Sequence, residues 1–261
     1  MKRWNRRAQV TIFIIVAVVI VSVIITFFIF RGGILPQIGE KPEENPAPFL
    51  ESCIEDSVKE AIKIISIQGG YIEPPISKRF KFEGENVFNN ISYLCYTPNY
   101  YLPCVNQEPL LIQHLKDEIK DYIAEDVSGC FDKLTASLNK RGYAVDARYN
   151  GFDVELTERK IMMEINAEIV LTKTGETSTQ ENFQIVIPSS LYDMAVVSQE
   201  ITSQEARFCY FEYVGYMNLY PKWDIDKFRT SDSVIIYTVK DINTQEKFRF
   251  AVRGCVIPPG F

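Results

Sequence analysis

Residues 160–173 read Lys-Ile-Met-Met-Glu-Ile-Asn-Ala-Glu-Ile-Val-Leu-Thr-Lys, and this stretch decides the class of fold. Near its centre the apolar residues Ile165, Ala167 and Ile169 alternate with polar and acidic residues. Successive side chains of a β-strand point to opposite faces, so this period of two predicts one buried face and one wet face. The stretch therefore predicts a β-strand that lies on a hydrophobic core.

Segments of the same character surround this strand. They are rich in Val, Ile, Tyr and Phe and predict further strands at 143–149, 152–158, 181–187, 233–240 and 247–256. Asn150-Gly151 is a tight-turn signal between the first two of these segments, and the polar residues 174–180 predict a hairpin loop. The pattern is that of an antiparallel sheet.

Three helices are predicted from apolar residues that recur at spacings of three and four. They run from Phe49 to Gly69-Gly70, from about Glu108 to Asn139, and from Ser189 to about Arg207. Helices and antiparallel strands in one chain predict an α+β domain over residues 49–261, with the helices packed on one face of the sheet. That length is sufficient for one full hydrophobic core.

The N-terminal part of the chain has a different character. Residues 10–30 contain no charge, Gly or Pro, and a helix of this length would span about 31 Å at a rise of ~1.5 Å per residue. That length matches the hydrocarbon thickness of a bilayer, and a helix satisfies its own backbone polar groups, which lipid cannot do. The stretch predicts a transmembrane helix.

Charge predicts the orientation of this helix. Residues 1–9 carry four basic residues and no acidic ones, whereas only Arg31 follows the helix closely. The positive-inside rule then places the N-terminus in the cytoplasm and residues 32–261 outside the cell membrane, as a single-pass protein. Five of the 28 basic residues lie in residues 1–31, so the outer part has 23 basic and 34 acidic residues, a net charge of −11. This acidity argues against nucleic-acid binding.

Between the predicted helix and the outer domain, residues 31–48 contain four prolines and three glycines. These residues oppose helix continuation. The segment is predicted to be a partly extended linker that lifts the domain off the lipid, although a loop packed onto the domain is the alternative.

The residues Arg6-Arg7-Ala8-Gln9-Val10-Thr11, running directly into an apolar helix, resemble the class III signal sequences of archaeal type IV pilin-like proteins. The resemblance implies cleavage after Ala8, which would leave Gln9 as the first residue and keep the helix for assembly into a filament. Many pilins carry Glu five residues into the mature chain, where this sequence has Phe13. That departure disfavours a filament more than it disfavours a plain anchor.

The arrangement as a whole resembles uncharacterised membrane-anchored envelope proteins of small-genome archaea. The features that carry this resemblance are the basic start with Gln9, the helix with Cys53 that ends in Gln68-Gly69-Gly70-Tyr71-Ile72, and the closing Phe250-Ala251-Val252-Arg253. The resemblance implies an envelope location and no particular activity.

All six cysteines lie in the part of the chain predicted to be outside. An even number of cysteines in an exported domain predicts three disulfides, with 15 possible connectivities. Metal binding is disfavoured, because the chain has no Cys-x-x-Cys pair and only one histidine. The expected pairs are the two nearest cysteines, a link between the first two helices, and a link from the aromatic segment to the last strand: Cys95–Cys104, Cys53–Cys130 and Cys209–Cys255.

The sequence contains no recognisable catalytic arrangement. His114 is the only histidine, and neither a Gly-x-Ser-x-Gly elbow nor a Gly-rich nucleotide loop is present. Asp153 and Glu155 face the same side of a predicted strand, which is typical of a solvated face. We therefore expect no catalytic residues, metal site or cofactor. An extracytoplasmic enzyme is a remote alternative that would need a cleft bringing distant carboxylates together.

Aromatic residues are the most suggestive feature of the outer domain. Tyr96, Tyr100 and Tyr101 lie around the predicted Cys95–Cys104 loop, where they could form a surface for a partner protein or a glycan. The aromatic residues of 208–223 are better explained by core packing. Asn90-Ile91-Ser92 is an N-glycosylation sequon in a predicted loop.

The sequence thus predicts a single-pass, membrane-anchored envelope protein with a binding or structural role. Its expected partners are the lipid bilayer and, outside the cell, envelope proteins, glycans or copies of itself. The alternative is a processed, pilin-like subunit that assembles through its N-terminal helix.

Overall fold

The computed structural model describes residues 16, 19–21 and 46–258. Among the described residues, no helix is both long and apolar enough to cross a membrane. The four described residues before 46, all Val or Ile, are helical and about half exposed.

Several sequence predictions fall outside the described residues. These are the basic segment 1–9, the processing site Ala8-Gln9, most of the apolar stretch 10–30 and the linker up to residue 45. The chain divides into two compact units, Met1–Glu44 and Asn45–Phe261, and residues 46–258 belong to the second unit.

The second unit contains four helices and nine strands over its described residues. In chain order they are α1 (Ala47–Ile67), β1 (Ser77–Phe80), β2 (Asn89–Tyr96), β3 (Val105–Asn106), α2 (Leu111–Lys140), β4 (Ala144–Thr157), β5 (Lys160–Lys173), β6 (Glu176–Pro188), α3 (Leu191–Phe208), α4 (Tyr213–Leu219), β7 (Trp223–Arg229), β8 (Ile235–Asp241) and β9 (Lys247–Arg253). The domain is a mixture of helices and sheets, so the α+β class is confirmed.

The strands form two sheets. One has the order β1-β2-β9-β8-β7 with β3 paired to β2, and the other has the order β4-β5-β6. Strands β2 and β9 run parallel, with Tyr93 opposite Ala251 and Tyr96 opposite Arg253, and the other pairs are antiparallel. The antiparallel pairing expected from the sequence is therefore present, but in two sheets where one was predicted and with one parallel pair in the larger sheet. Strand β2 escaped prediction because five consecutive residues of it are buried, which leaves no alternation.

In the three-stranded sheet, one turn prediction is wrong and one hairpin loop is shorter than predicted. Asn150-Gly151 does not end a strand, because β4 continues through it with a register shift between Tyr149 and Phe152. Gly151 has φ +96°, which serves a β-bulge as well as a turn. Where a loop over 174–180 was predicted, the structure has a two-residue turn at Thr174-Gly175, and both residues have positive φ.

The predicted linker also ends earlier than expected, because Ala47 and Pro48 are the first residues of α1. Proline is tolerated in the first helical turn, where its missing N–H would have no partner within the helix. The prolines that suggested an extended linker therefore also mark the start of a helix.

Apolar faces of the helices and of both sheets share one core. In α1 the buried residues repeat every three or four positions, as do those of α2. The fully buried members include Leu50, Ile54, Leu115, Ile119, Ile165, Tyr237 and Phe250. A smaller cluster around Ile91, Val234 and Ile236 covers the opposite face of the larger sheet.

The six cysteines form three disulfides, and the pairs are those expected from the sequence. Cys53–Cys130 joins α1 to α2 with a Cα–Cα distance of 5.9 Å, and Cys95–Cys104 joins β2 to the segment before β3 at 5.3 Å. Cys209–Cys255 joins the end of α3 to the segment after β9 at 6.0 Å. The last two disulfides fix the loops from which the candidate site is built.

Candidate functional site

The loop between β2 and β3 runs against the segment that follows β9. The Tyr101 N–H donates to the carbonyl of Val256 at 3.0 Å, and the Cys255 N–H donates to the carbonyl of Leu102 at 2.7 Å. The Cys95–Cys104 disulfide closes the loop at its base. The loop is therefore held in place by both covalent and hydrogen bonds.

The end of α3 joins the same region through the Cys209–Cys255 disulfide. Cys209 caps the helix in the left-handed conformation, and its N–H donates to the carbonyl of Glu205 at 3.0 Å. Phe208 and Tyr210 flank this cysteine on either side. The covalent link brings their backbone close to the segment after β9.

Six large apolar side chains on these three segments are exposed, and we call them the apolar rim. Their exposed fractions are 45% for Tyr100, 57% for Tyr101, 51% for Leu102, 62% for Phe208, 52% for Tyr210 and 59% for Ile257. Single exposed apolar residues are normal, but several gathered on adjoining segments are typical of an interaction surface. Their position on well-fixed loops reduces the ordering that a partner would have to impose.

The backbone of the rim adopts unusual conformations. Tyr101, Cys209 and Cys255 have φ values of +62°, +54° and +50°. The left-handed backbone conformation costs a residue with a Cβ about 1–2 kcal/mol. It is therefore found where surrounding contacts fix the backbone and offset that cost. The two disulfides and the hydrogen bonds to Val256 and Leu102 provide that support.

Gly254 allows the loop between β2 and β3 to pack closely against the end of β9. A Cβ added at this position would lie 2.9 Å from the backbone nitrogen of Cys104 and 3.1 Å from its Sγ. Any larger residue would push the Cys95–Cys104 disulfide away. The glycine is therefore required by close packing under the rim.

Two cations lie beside the aromatic rings of this region. The Arg253 guanidinium is 5.6 Å from the centre of the Tyr100 ring and 6.0 Å from that of Tyr96, and the Lys227 Nζ is 4.8 Å from that of Tyr210. These distances fall within the range of cation–π interaction. The Tyr210 hydroxyl donates to Glu212, which raises the pKa of that tyrosine.

The three tyrosines predicted as a partner surface do not share one environment. Tyr100 and Tyr101 belong to the rim, whereas Tyr96 is half-buried in β2 and its ring centre lies 4.9 Å from that of Tyr93. Burial raises the pKa of Tyr93 to about 12. Tyr96 therefore belongs to the support beneath the rim.

The aromatic residues of 208–223, which were expected to pack in the core, are divided between the core and the surface. Phe211 and Trp223 are buried, whereas Phe208, Tyr210 and Tyr220 are more than half exposed. The sequence therefore did not predict Phe208, Tyr210, Leu102 and Ile257 as members of a partner surface. Their exposure depends on which segments meet in space, and the one signal available was their nearness to predicted disulfide cysteines.

His114 supports the packing of α2. Its ring centre is 4.2 Å from that of Tyr71, and its Nε2 is 3.9 Å from a carboxylate oxygen of Glu118. The other Glu118 oxygen accepts from the Ile72 N–H at 2.7 Å. The surroundings of His114 thus tie the segment after α1 to α2, and the hydroxyl of the neighbouring Tyr71 donates to Glu108.

The carboxylates of β4 pair with lysines of α2. Asp153 bonds Lys120 and Glu155 bonds Lys116, both at 2.8 Å. The hydrogen bond from Lys120 lowers the pKa of Asp153. In the described part of the chain, no group of three or more His, Cys, Asp or Glu side chains is arranged to hold a metal ion.

Asn90 of the sequon lies in β2 and not in the predicted loop. Its side chain is exposed, while Ser92 is buried on the same strand. Glycosylation at Asn90 stays a prediction.

Comparison of the chain with protein-family models, with curated proteins and with solved structures finds no match to any of the three.

Proposed function

We propose that this chain is a membrane-anchored binding protein whose folded domain docks another protein outside the cytoplasm through the apolar rim. The single observation that carries the proposal is the exposure of six large apolar side chains on segments fixed by two disulfides. Burying such side chains against a partner releases about 25 cal/mol per Å² of apolar area, with little loss of loop freedom.

The composition of the rim favours a protein partner over a glycan. Leu102, Phe208 and Ile257 offer apolar surface without a polar group, whereas Tyr100 and Tyr101 add a hydroxyl at the tip of each ring. Protein interfaces combine an apolar centre with aromatic anchors in this way. A glycan would instead need several polar side chains to bond its hydroxyls.

The partner surface can be tested by photo-cross-linking from position 101. The full chain, carrying a photoreactive phenylalanine in place of Tyr101, is expected to cross-link to one discrete protein in its native membrane. The same probe at Tyr220, which is 52% exposed but outside the rim, provides the matched control. An equal pattern of products from both positions would contradict the proposal.

For the next test the photoreactive probe is moved to position 102. The double substitution Tyr100→Ser/Tyr101→Ser should then reduce the yield of the cross-link about tenfold or more. Aromatic anchors near the centre of an interface each contribute roughly 1–2 kcal/mol or more. Because both side chains are exposed, thermal unfolding should change little. Undiminished cross-linking in a folded variant would remove these tyrosines from the partner surface.

The membrane anchor is the second part of the proposal. It is supported by the uncharged stretch 10–30 and by the basic residues on one side of it. A membrane-impermeant amine reagent applied to intact cells should label lysines of residues 46–258 and spare Lys2. Labelling of Lys2 without labelling of the domain would contradict this orientation.

A processed, pilin-like subunit is the alternative function, supported by Arg6-Arg7-Ala8-Gln9. Processing would leave Gln9 as the first residue of the membrane-bound protein, whereas a plain anchor would keep the residues before it. Sequencing the N-terminus of the membrane-bound protein separates the two forms. In the pilin-like case, the rim would dock a second copy of this chain.

A further inference from the structure

A second candidate site lies on the C-terminal half of α1, where a cavity of about 480 Å³ opens between this helix, the end of β6 and the turn joining β8 to β9. It involves different residues from the apolar rim. Its walls include the apolar residues Ile62, Ile67 and Pro188. A volume of this order fits a small organic molecule.

Ser66 gives this cavity an unsatisfied polar group. The residue is 6% exposed, and its hydroxyl oxygen has no hydrogen-bond partner among the described residues. A buried serine on a helix can donate to the carbonyl four residues earlier, as Ser198 of α3 does to Met194 at 2.8 Å. The oxygen is closed off from solvent in the present rotamer, and an unpaired buried hydroxyl is costly. Rotation about χ1 toward the cavity would give the hydroxyl a ligand partner there.

The charges around the cavity are mainly positive. Lys59, Lys63 and Lys247 line it, and neither Lys63 nor Lys247 forms a salt bridge within the described part of the chain. Glu246 also lines it, but its two oxygens accept from the Ser189 hydroxyl and the Ser190 N–H. That carboxylate is therefore oriented toward the start of α3 and forms no salt bridge with Lys63 or Lys247 within the described residues, so the three lysines leave the lining net positive.

We propose that this cavity binds a small organic carboxylate with a short apolar chain. The Ser66 hydroxyl donates to one carboxylate oxygen, and the Lys63 and Lys247 ammonium groups stabilise its negative charge. Ile62, Ile67 and Pro188 contact the apolar chain. A bare inorganic anion has no such chain and would leave these three side chains uncovered. The proposal does not depend on the apolar rim.

A second cavity, which adjoins the first along α1, helps to locate any bound molecule. It has a volume of about 640 Å³ and shares Lys59, Lys63 and Ile67 with the first. Ile62 lines only the first cavity, whereas Ile64 and Val87 line only the second. Methyl groups of these residues therefore report which cavity is occupied.

The test titrates hexanoate into the full chain, labelled at Ile and Val methyl groups and held in a lipid nanodisc. The Ile62 and Ile67 methyl resonances are expected to shift in a saturable way, while those of Ile64 and Val87 stay in place. Hexylamine, with the same chain and the opposite charge, should leave all four unchanged. Equal shifts with hexylamine, or shifts confined to Ile64 and Val87, would overturn the proposal.

Variants test the two polar contacts. Ser66→Ala should weaken hexanoate binding about fivefold, because it removes one hydrogen bond to a charged group, and should leave the unliganded chain at least as heat-stable as the original. Lys63→Gln should weaken binding about threefold or more. The matched controls are Ser198→Ala, at a serine whose hydroxyl is already bonded, and Lys133→Gln, at an exposed lysine of α2. Unchanged affinity in both test variants would refute the site, whatever the outcome at the rim.

Discussion

Removal of the Cys53–Cys130 disulfide by Cys53→Ala/Cys130→Ala is expected to lower the free energy of unfolding by about 4.5 kcal/mol. The two cysteines are 77 residues apart in sequence, so the bond removes a large loop-closure entropy from the unfolded chain. It also holds α1 against α2, whose apolar stripes form much of the core. A loss of this size is a large part of the stability of an ordinary domain.

The measurement is urea unfolding of the full chain without reductant, followed by the fluorescence of the buried Trp223. The matched control is Cys95→Ala/Cys104→Ala, which opens a loop of 9 residues. The same relation predicts a loss of about 2.6 kcal/mol for that variant. A larger loss from the short loop than from the long one would show that loop entropy does not dominate.

Among single substitutions at the buried polar contacts, Lys227→Met is expected to lower the free energy of unfolding the most. Lys227 of β7 donates to the carboxylate of Glu205 on α3 at 3.2 Å, and the Tyr237 hydroxyl of β8 donates to the same oxygen. Glu205 is 2% exposed and Tyr237 is fully buried. Without the lysine the carboxylate would be a buried charge lacking its cation, at a cost of about 3–5 kcal/mol.

The double variant Glu205→Gln/Lys227→Met tests this reason for the loss. Because it removes both charges, it should recover a large part of the stability that Lys227→Met loses in urea unfolding. Lys120→Met breaks the exposed pair with Asp153 and should have little effect, since solvent screens that pair. If the double variant were as unstable as the single one, packing of the lysine chain would explain the loss.

The same contacts raise the pKa of Tyr237, first through burial and then through the nearby charge of Glu205. The folded domain therefore keeps this hydroxyl protonated at a pH where the unfolded chain has begun to release the proton. The unfolded state then binds fewer protons, so stability is fully present below about pH 10 and falls as the pH rises further. Tyr93, with its pKa raised to about 12, adds to this alkaline loss.

The elements that the sequence predicted well depend on local patterns. The apolar repeats of α1, α2 and α3 and the alternation of β5 are visible over short windows, because a buried face imposes its period directly on the residues. The disulfide pairs followed from the same elements, since a link between the first two helices was expected once those helices were recognised.

The elements that it missed depend on contacts between distant residues. Strand β2 pairs in parallel with β9, more than 150 residues later, and no turn signal marks such a pair. Gly151 could serve a turn or a bulge, and the extended pairing of β4 with β5 decided in favour of the bulge. The exposure of Leu102, Phe208 and Ile257 likewise follows from where three distant segments meet.

The sequence by itself determined the charge asymmetry, the uncharged stretch 10–30, the helical and strand periodicities and the number of cysteines. Each of these is a property of composition or of residues close together in the chain. Only the tertiary structure decided which aromatic side chains remain exposed beside the two loop disulfides. It also decided that the Ser66 hydroxyl, near the lysines of α1, has no hydrogen-bond partner within residues 46–258. Exposure and hydrogen bonding depend on what packs against a residue. In this domain, those neighbours come from segments far away in the chain.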